Sequence, residues 1–168
     1  FTYSLTGLTG EVWIKSNTTP IGGYSRIMSI TNWNPGFIMA VSDTNKFRVY
    51  LWDDAEDSMD SATSINDNNW HHIAFTINTT DGKFYLYVDG KQDKYKVSAI
   101  TTPIIKSNQS VIFAGDYEYK GYIDEVKIYA YARTAAQIKQ DYQAGLAGLA
   151  AKKGAGVAVG GGSKKSLS

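Results

Sequence analysis

Three stretches of this 168-residue chain alternate apolar and polar residues with a period of two, and turn residues bound them. In Phe47-Arg48-Val49-Tyr50-Leu51 the apolar set is Phe47, Val49 and Leu51. In His71 to Ile77 it is Ile73, Phe75 and Ile77. Asp81-Gly82 then precedes a run with Phe84, Leu86 and Val88 on one face, and Asp89-Gly90 follows it. A period of two cannot bury one stripe of a helix, but it buries one face of a strand. Asp-Gly pairs supply the positive φ of tight hairpins. Consecutive strands joined by such turns are antiparallel.

The same reading extends along the chain. Glu11 to Lys15 alternates, and Ser25 to Ser29 sets Arg26 and Met28 against Ile27. Phe37 to Val41 is almost continuously apolar, so both of its faces are covered. Val111 to Phe113 and Tyr122 to Tyr129 close the series. In the latter, Tyr122, Asp124, Val126 and Ile128 share one face, and Ile123, Glu125, Lys127 and Tyr129 the other. Thr, Ile, Val and the aromatics make up 60 residues, a bias toward pleated, half-buried surfaces. About ten short strands at this spacing predict an all-β antiparallel sandwich over residues 1–143. One short helix follows. Thr134 and Gln137 form a capping box, Ile138 and Tyr142 share a face, and Gly145 is expected to end it.

Residues 144–168 hold seven Gly, six Ala, four Lys and three Ser, with no acid and no aromatic. Such a composition reads as a flexible linker or tail. Its four Lys more than account for the net charge of +1, which leaves the body at −3. That balance argues against nucleic-acid binding. No apolar run approaches the roughly 20 residues that span a bilayer, so membrane insertion is not expected. With no Cys there is no disulfide framework, thiolate zinc site or thiol nucleophile.

Catalytic patterns are missing. His71 and His72 are adjacent, so a strand sends them to opposite faces and they serve structural roles. No G-x-S-x-G elbow and no phosphate-cradling glycine loop occurs. Two features suggest binding instead. Asp53, Asp54, Glu56, Asp57 and Asp60 crowd one acidic stretch between strands, read as a loop. Clustered carboxylates repel unless solvated or bridged by a cation, and calcium takes such oxygens; Asp53, Asp54 and Asp57 are its expected ligands there. Aromatics also sit in polar loops. Trp33 and Asn34 lie in Asn32-Trp33-Asn34-Pro35-Gly36, and Tyr117 and Tyr119 lie in Asp116-Tyr117-Glu118-Tyr119-Lys120. Sugar rings stack their C–H faces on aromatics while amides and carboxylates take the hydroxyls. Trp33, Asn34, Tyr117 and Tyr119 are therefore the expected ligand contacts, with Trp52 and Tyr24 beside them.

Trp70-His71-His72-Ile73-Ala74, Phe84 to Lys91 (FYLYVDGK) and Gly121 to Tyr129 (GYIDEVKIY) occur in that order. Together they resemble the laminin-G-like domains of the concanavalin A-like lectin/glucanase superfamily. Ala132 to Ile138 is similar to the helix that follows the closing strand there. The resemblance implies a concanavalin A-like jelly roll and an extracellular or cell-surface, non-catalytic module. Its partner would be a glycan or an extracellular protein, and the module would be one part of a multidomain protein. It also implies calcium at Asp124, whose matching residue in related sandwiches binds that ion. The paired carboxylates of the superfamily's glucanases, in an E-x-D-x-x-E strand, are absent here. A first strand usual in these domains is not matched by residues 1–10. An open sheet edge, filled by strand exchange with a neighbour, is the expected consequence. The alternative is a structural spacer or assembly domain without a small ligand.

Overall fold

The computed structural model describes residues 6–31, 36–53, 56–100, 110–113 and 119–155, and the side chains of all of these except 31 and 151–155. Among them run ten strands and one helix. The strands are β1 (Gly7–Lys15), β2 (Tyr24–Thr31), β3 (Gly36–Ser42), β4 (Lys46–Trp52), β5 (Glu56–Ser64), β6 (His71–Asn78), β7 (Lys83–Val88), β8 (Lys91–Val97), β9 (Val111–Phe113) and β10 (Tyr122–Tyr129); the helix is α1 (Ala135–Ala155). Two antiparallel five-stranded sheets form a sandwich. The first has the order β10-β1-β6-β7-β8, the second β5-β4-β3-β2-β9.

The alternating runs behave as their period demands. Phe47, Val49 and Leu51, then Ile73, Phe75 and Ile77, then Phe84, Leu86 and Val88 all join one core between the sheets. β3 is buried on both faces. Asp89 and Gly90 take φ of 50° and 71°, the pair of positive values that a two-residue hairpin turn needs. β1 has partners on both sides, β10 and β6, and the described first sheet ends on β10 and β8.

Two bulges correct the expected phases. On β2, Arg26 pairs with Ala40 but Met28 pairs with Met39, so Ile27 is an extra residue. Ile27 and Met28 therefore both turn into the core, each 0% exposed. On β10, Trp13 pairs with Asp124 while Glu11 pairs with Lys127. Glu125, at φ 49°, takes up the additional residue. Ile123, Val126 and Ile128 consequently share the inner face and pack on the core. Asp124 stands on the other face, opposite Trp13, and not with Val126 and Ile128.

Part of the outer face of the first sheet is covered by α1. The expected capping box is present: Gln137 N donates to Thr134 Oγ1 at 3.3 Å and Thr134 N donates to Gln137 Oε1 at 2.9 Å. Ile138 packs on Ala74 and Tyr87. Tyr142 stacks on Trp13 at 5.6 Å with planes 16° apart. Glu11, fully buried on β1, meets Arg133 Nε at 3.1 Å and His72 Nε2 at 3.3 Å. Arg133 also pairs with Asp141 of the helix and lies 4.1 Å over the Tyr129 ring. This arginine fastens the helix to the sheet.

The helix does not stop at Gly145. It runs to Ala155, across the boundary expected at residue 144. At Gly145 the helix lies close against the sheet: a Cβ there would come 2.6 Å from Trp13 Cε2 and 2.8 Å from Cζ2. The glycine serves close packing rather than termination.

Candidate functional site

On β4 the residues in phase opposite to the core set are Lys46, Arg48, Tyr50 and Trp52, all half-buried. They face outward on the second sheet. Beside them, β3 turns Ile38 and Ala40 outward, and β2 brings Tyr24 and Arg26. Ala40, opposite both Arg26 and Arg48, is too small to keep its neighbours apart. Tyr24 and Tyr50 thus meet across β3 at 5.2 Å between ring centroids. Tyr50 and Trp52, two apart on one strand, stack at 5.3 Å with planes 14° apart. Three aromatic rings form a continuous row across β2, β3 and β4.

Polar groups frame this row. Arg48 and Asp60, cross-strand partners on β4 and β5, form a bidentate pair: Nε donates to Oδ1 at 2.5 Å and Nη2 to Oδ2 at 2.7 Å. Hydrogen bonding to Asp60 holds the guanidinium still more firmly protonated than usual. Its Nη1 donates to the Tyr50 hydroxyl at 3.2 Å and so fixes that ring. Trp52 Nε1 donates to Glu56 Oε2 at 3.3 Å. Gly36, opposite Trp52, puts no side chain beside the indole. The arrangement offers apolar ring faces edged by a guanidinium donor, a phenol and two carboxylates. Nothing in it resembles a nucleophile aligned with a base.

The acidic stretch takes a different form from the expected loop. Glu56, Asp57 and Asp60 lie on strand β5, because each finds a donor. Glu56 meets Trp52 and Asp60 meets Arg48. Asp57 pairs with Lys96 of β8 and accepts from Ser98 Oγ at 2.5 Å. Asp93 of β8 accepts from Thr63 N at 3.2 Å and Thr63 Oγ1 at 2.5 Å. These bonds close the sandwich along its β5–β8 edge. Asp53 is half-buried at the end of β4, and Asp54 lies outside the described residues. Asp124 Oδ1 accepts from Glu125 N at 2.9 Å, within the bulge. Among the described residues no three of His, Asp and Glu gather around one point as ion ligands.

Of the expected ligand contacts, Trp52 and Tyr24 stand in the aromatic row. Tyr119 does not: it is 8% exposed in the core, and burial pushes its hydroxyl pKa up to about 12. Trp33, Asn34 and Tyr117 lie outside the described residues. Tyr50 was missed; the outward phase of β4 carried the signal. Both histidines have partners within the fold. His71 bridges Asp89 at 2.9 Å and Asp67 at 3.0 Å, and hydrogen bonding to Asp89 chiefly raises its pKa. His72 lies under the helix against Trp13, 5.3 Å between centroids.

With two antiparallel sheets, the closing bulged strand and the following helix in place, residues 2–139 match the Laminin_G_3 family of the concanavalin A-like lectin/glucanases superfamily. The chain belongs to this family. A curated relative is the rat sushi, von Willebrand factor type A, EGF and pentraxin domain-containing protein 1. It is 24% identical over 118 residues, which are 70% of this chain and 3% of that protein. Among solved structures, the CBM40 domain of the Ruminococcus gnavus IT-sialidase, bound to alpha2,3 sialyllactose, is similar at a TM-score of 0.69. Identity is 12%, over 83% of this chain and 84% of that one. The binding domain of botulinum neurotoxin DC, in complex with rat synaptotagmin II, is similar at 0.68. Identity is 18%, over 83% of this chain and 36% of that one. At these identities the structural likeness establishes the fold. No described helix is long and apolar enough to cross a membrane.

Proposed function

We propose that this chain is a non-catalytic glycan-recognition module of an extracellular, multidomain protein, and that it holds sugar on the outer face of its second sheet. The row Tyr24–Tyr50–Trp52 carries this reading. Aromatic rings pinned by neighbours lose little entropy on binding and present faces that suit the C–H side of a pyranose. Glu56, Asp60 and Arg48 stand where ring hydroxyls would reach. A structural neighbour solved with sialyllactose and a long multidomain relative support the same direction.

The aromatic row is proposed to hold sugar without calcium, and Asp57 is not needed as an ion ligand for it. Asp57 and Asp60 already face Lys96 and Arg48, so their charge needs no ion. A glycan array probed with the labelled full chain tests the proposal, in calcium and again with chelator. Saturable binding that survives chelator is expected. Binding abolished by chelator overturns the calcium-free part. Silence across the array in both conditions favours a spacer or assembly domain instead.

A further inference from the structure

The helix covers only part of the first sheet. Beyond it, the outer faces of β6, β7 and β8 form a groove of about 310 Å³, bounded by the Ala132–Ala135 segment that leads into α1. We infer that this groove is a second saccharide site, on the opposite side of the sandwich from Trp52.

Tyr87 is nearly buried and packs beneath the helix with Ala74 and Ile138. Tyr85, next in phase on β7, lies 6.2 Å from Tyr87 and stacks on Tyr95 of β8 at 4.7 Å, with planes 28° apart. Tyr95 is itself 44% exposed. Contacts with Tyr87 and Tyr95 hold the Tyr85 ring in place at the groove before any ligand arrives. Asn78 and Gln92 bring amides to the groove. Asn78 Oδ1 accepts from Thr80 N at 2.9 Å, which fixes that amide's orientation.

Charge selects the ligand class. The two groove charges on the β6–β7 turn neutralise each other: Lys83 Nζ lies 2.7 Å from Asp81 Oδ2. Arg133 is engaged by Glu11 and Asp141 and donates to the Gln137 carbonyl at 3.3 Å. Among the described lining residues no uncompensated charge is left to hold an ionic ligand. Amides, one ion pair and the part-exposed Tyr85 ring suit a neutral polyhydroxylated ring. The volume falls at the small end of the roughly 300–1,000 Å³ of ligand pockets. It fits one or two sugar units rather than a chain. With the Trp52 face, one chain would then hold two glycan arms.

The ligand class rests on the proposed glycan reading; the groove does not depend on Trp52. The test is a two-dimensional amide NMR titration of the full chain. The probes are the methyl glycosides of D-glucose, D-galactose and N-acetyl-D-glucosamine. Saturable shifts at Asn78, Tyr85 and Gln92 are expected with at least one probe. They persist in Trp52→Ala, and weaken about tenfold or more in Tyr85→Ser and several-fold in Gln92→Ala, an exposed position that spares the fold. Shifts confined to β4 overturn the groove and leave the Trp52 face standing. No shift anywhere also overturns the groove, and the array then decides separately whether the glycan reading falls with it. Groove shifts unchanged in both variants overturn it as well.

Discussion

Replacing Gly145 and Gly148 by alanine, one at a time, separates a docked helix from a free one by the sign of the effect. Both positions lie inside α1, and neither has the left-handed φ that alanine would resist. In a solvated helix interior, Gly→Ala stabilises by roughly 0.5–1 kcal/mol. At Gly148 the added methyl would find only Glu125 Oε1, at 3.6 Å, an ordinary contact. The full propensity gain is expected there. At Gly145 the methyl would come within 2.6 Å of Trp13 Cε2. Trp13 is itself buried between His72 and Tyr142, so it cannot swing aside. Overpacking of that kind costs about 1–3 kcal/mol, which outweighs the propensity gain. The net effect is a loss of about 1 kcal/mol. In a domain of this size 1 kcal/mol moves Tm by about 2–4 °C. Thermal unfolding followed by circular dichroism should show Gly148→Ala above wild type and Gly145→Ala below it. Equal rises for both would refute the docking of α1 on Trp13.

Three further outcomes follow from the charged contacts. Arg133→Met strands the buried Glu11 carboxylate and should cost about 3–5 kcal/mol in denaturant unfolding; adding Glu11→Gln should recover part of it, and no recovery would argue against the pair. Asp57→Asn loosens the β5–β8 edge by leaving Lys96 and Ser98 poorly matched, an expected loss of about 1–2 kcal/mol that a shifted urea midpoint reads. The raised pKa of His71 gives stability that is full below pH 6.5, its ordinary value, and is lost as pH rises through the folded-state value. His71→Gln should flatten that part of the stability–pH curve, and an unchanged slope would contradict the assignment.

Much of the sandwich was legible because burial on one face writes itself as period two. Phe47, Val49 and Leu51 are all inside for that reason, and Asp89-Gly90 turns where only positive φ will serve. What escaped was set by partners distant in sequence. β5 and β8 are edge strands with few apolar residues, and they hold through cross-strand pairs such as Arg48–Asp60 and Lys96–Asp57. An acidic run therefore read as a loop until its cations were in view. The bulge at Glu125 shifts the phase of β10 by one residue, which alternation counted along the strand cannot register, and it carries Asp124 to the other face. Gly145 resembled a helix stop because a local rule does not know that Trp13 waits across the interface. Within the candidate site, Trp52 and Tyr24 were visible as further aromatics, but Tyr50 gains its role only from Tyr24, brought alongside by β3. Tyr119 sits in a polar-looking stretch yet fills the core.

The glycan reading stands most directly on Trp52. Isothermal titration of the array-selected glycan into wild type and Trp52→Ala measures it, with circular dichroism confirming that the variant is folded. Removing the end of the aromatic row should cost at least about 1.4 kcal/mol, a tenfold rise in Kd. An unchanged Kd in the folded variant would place the sugar elsewhere and contradict the site.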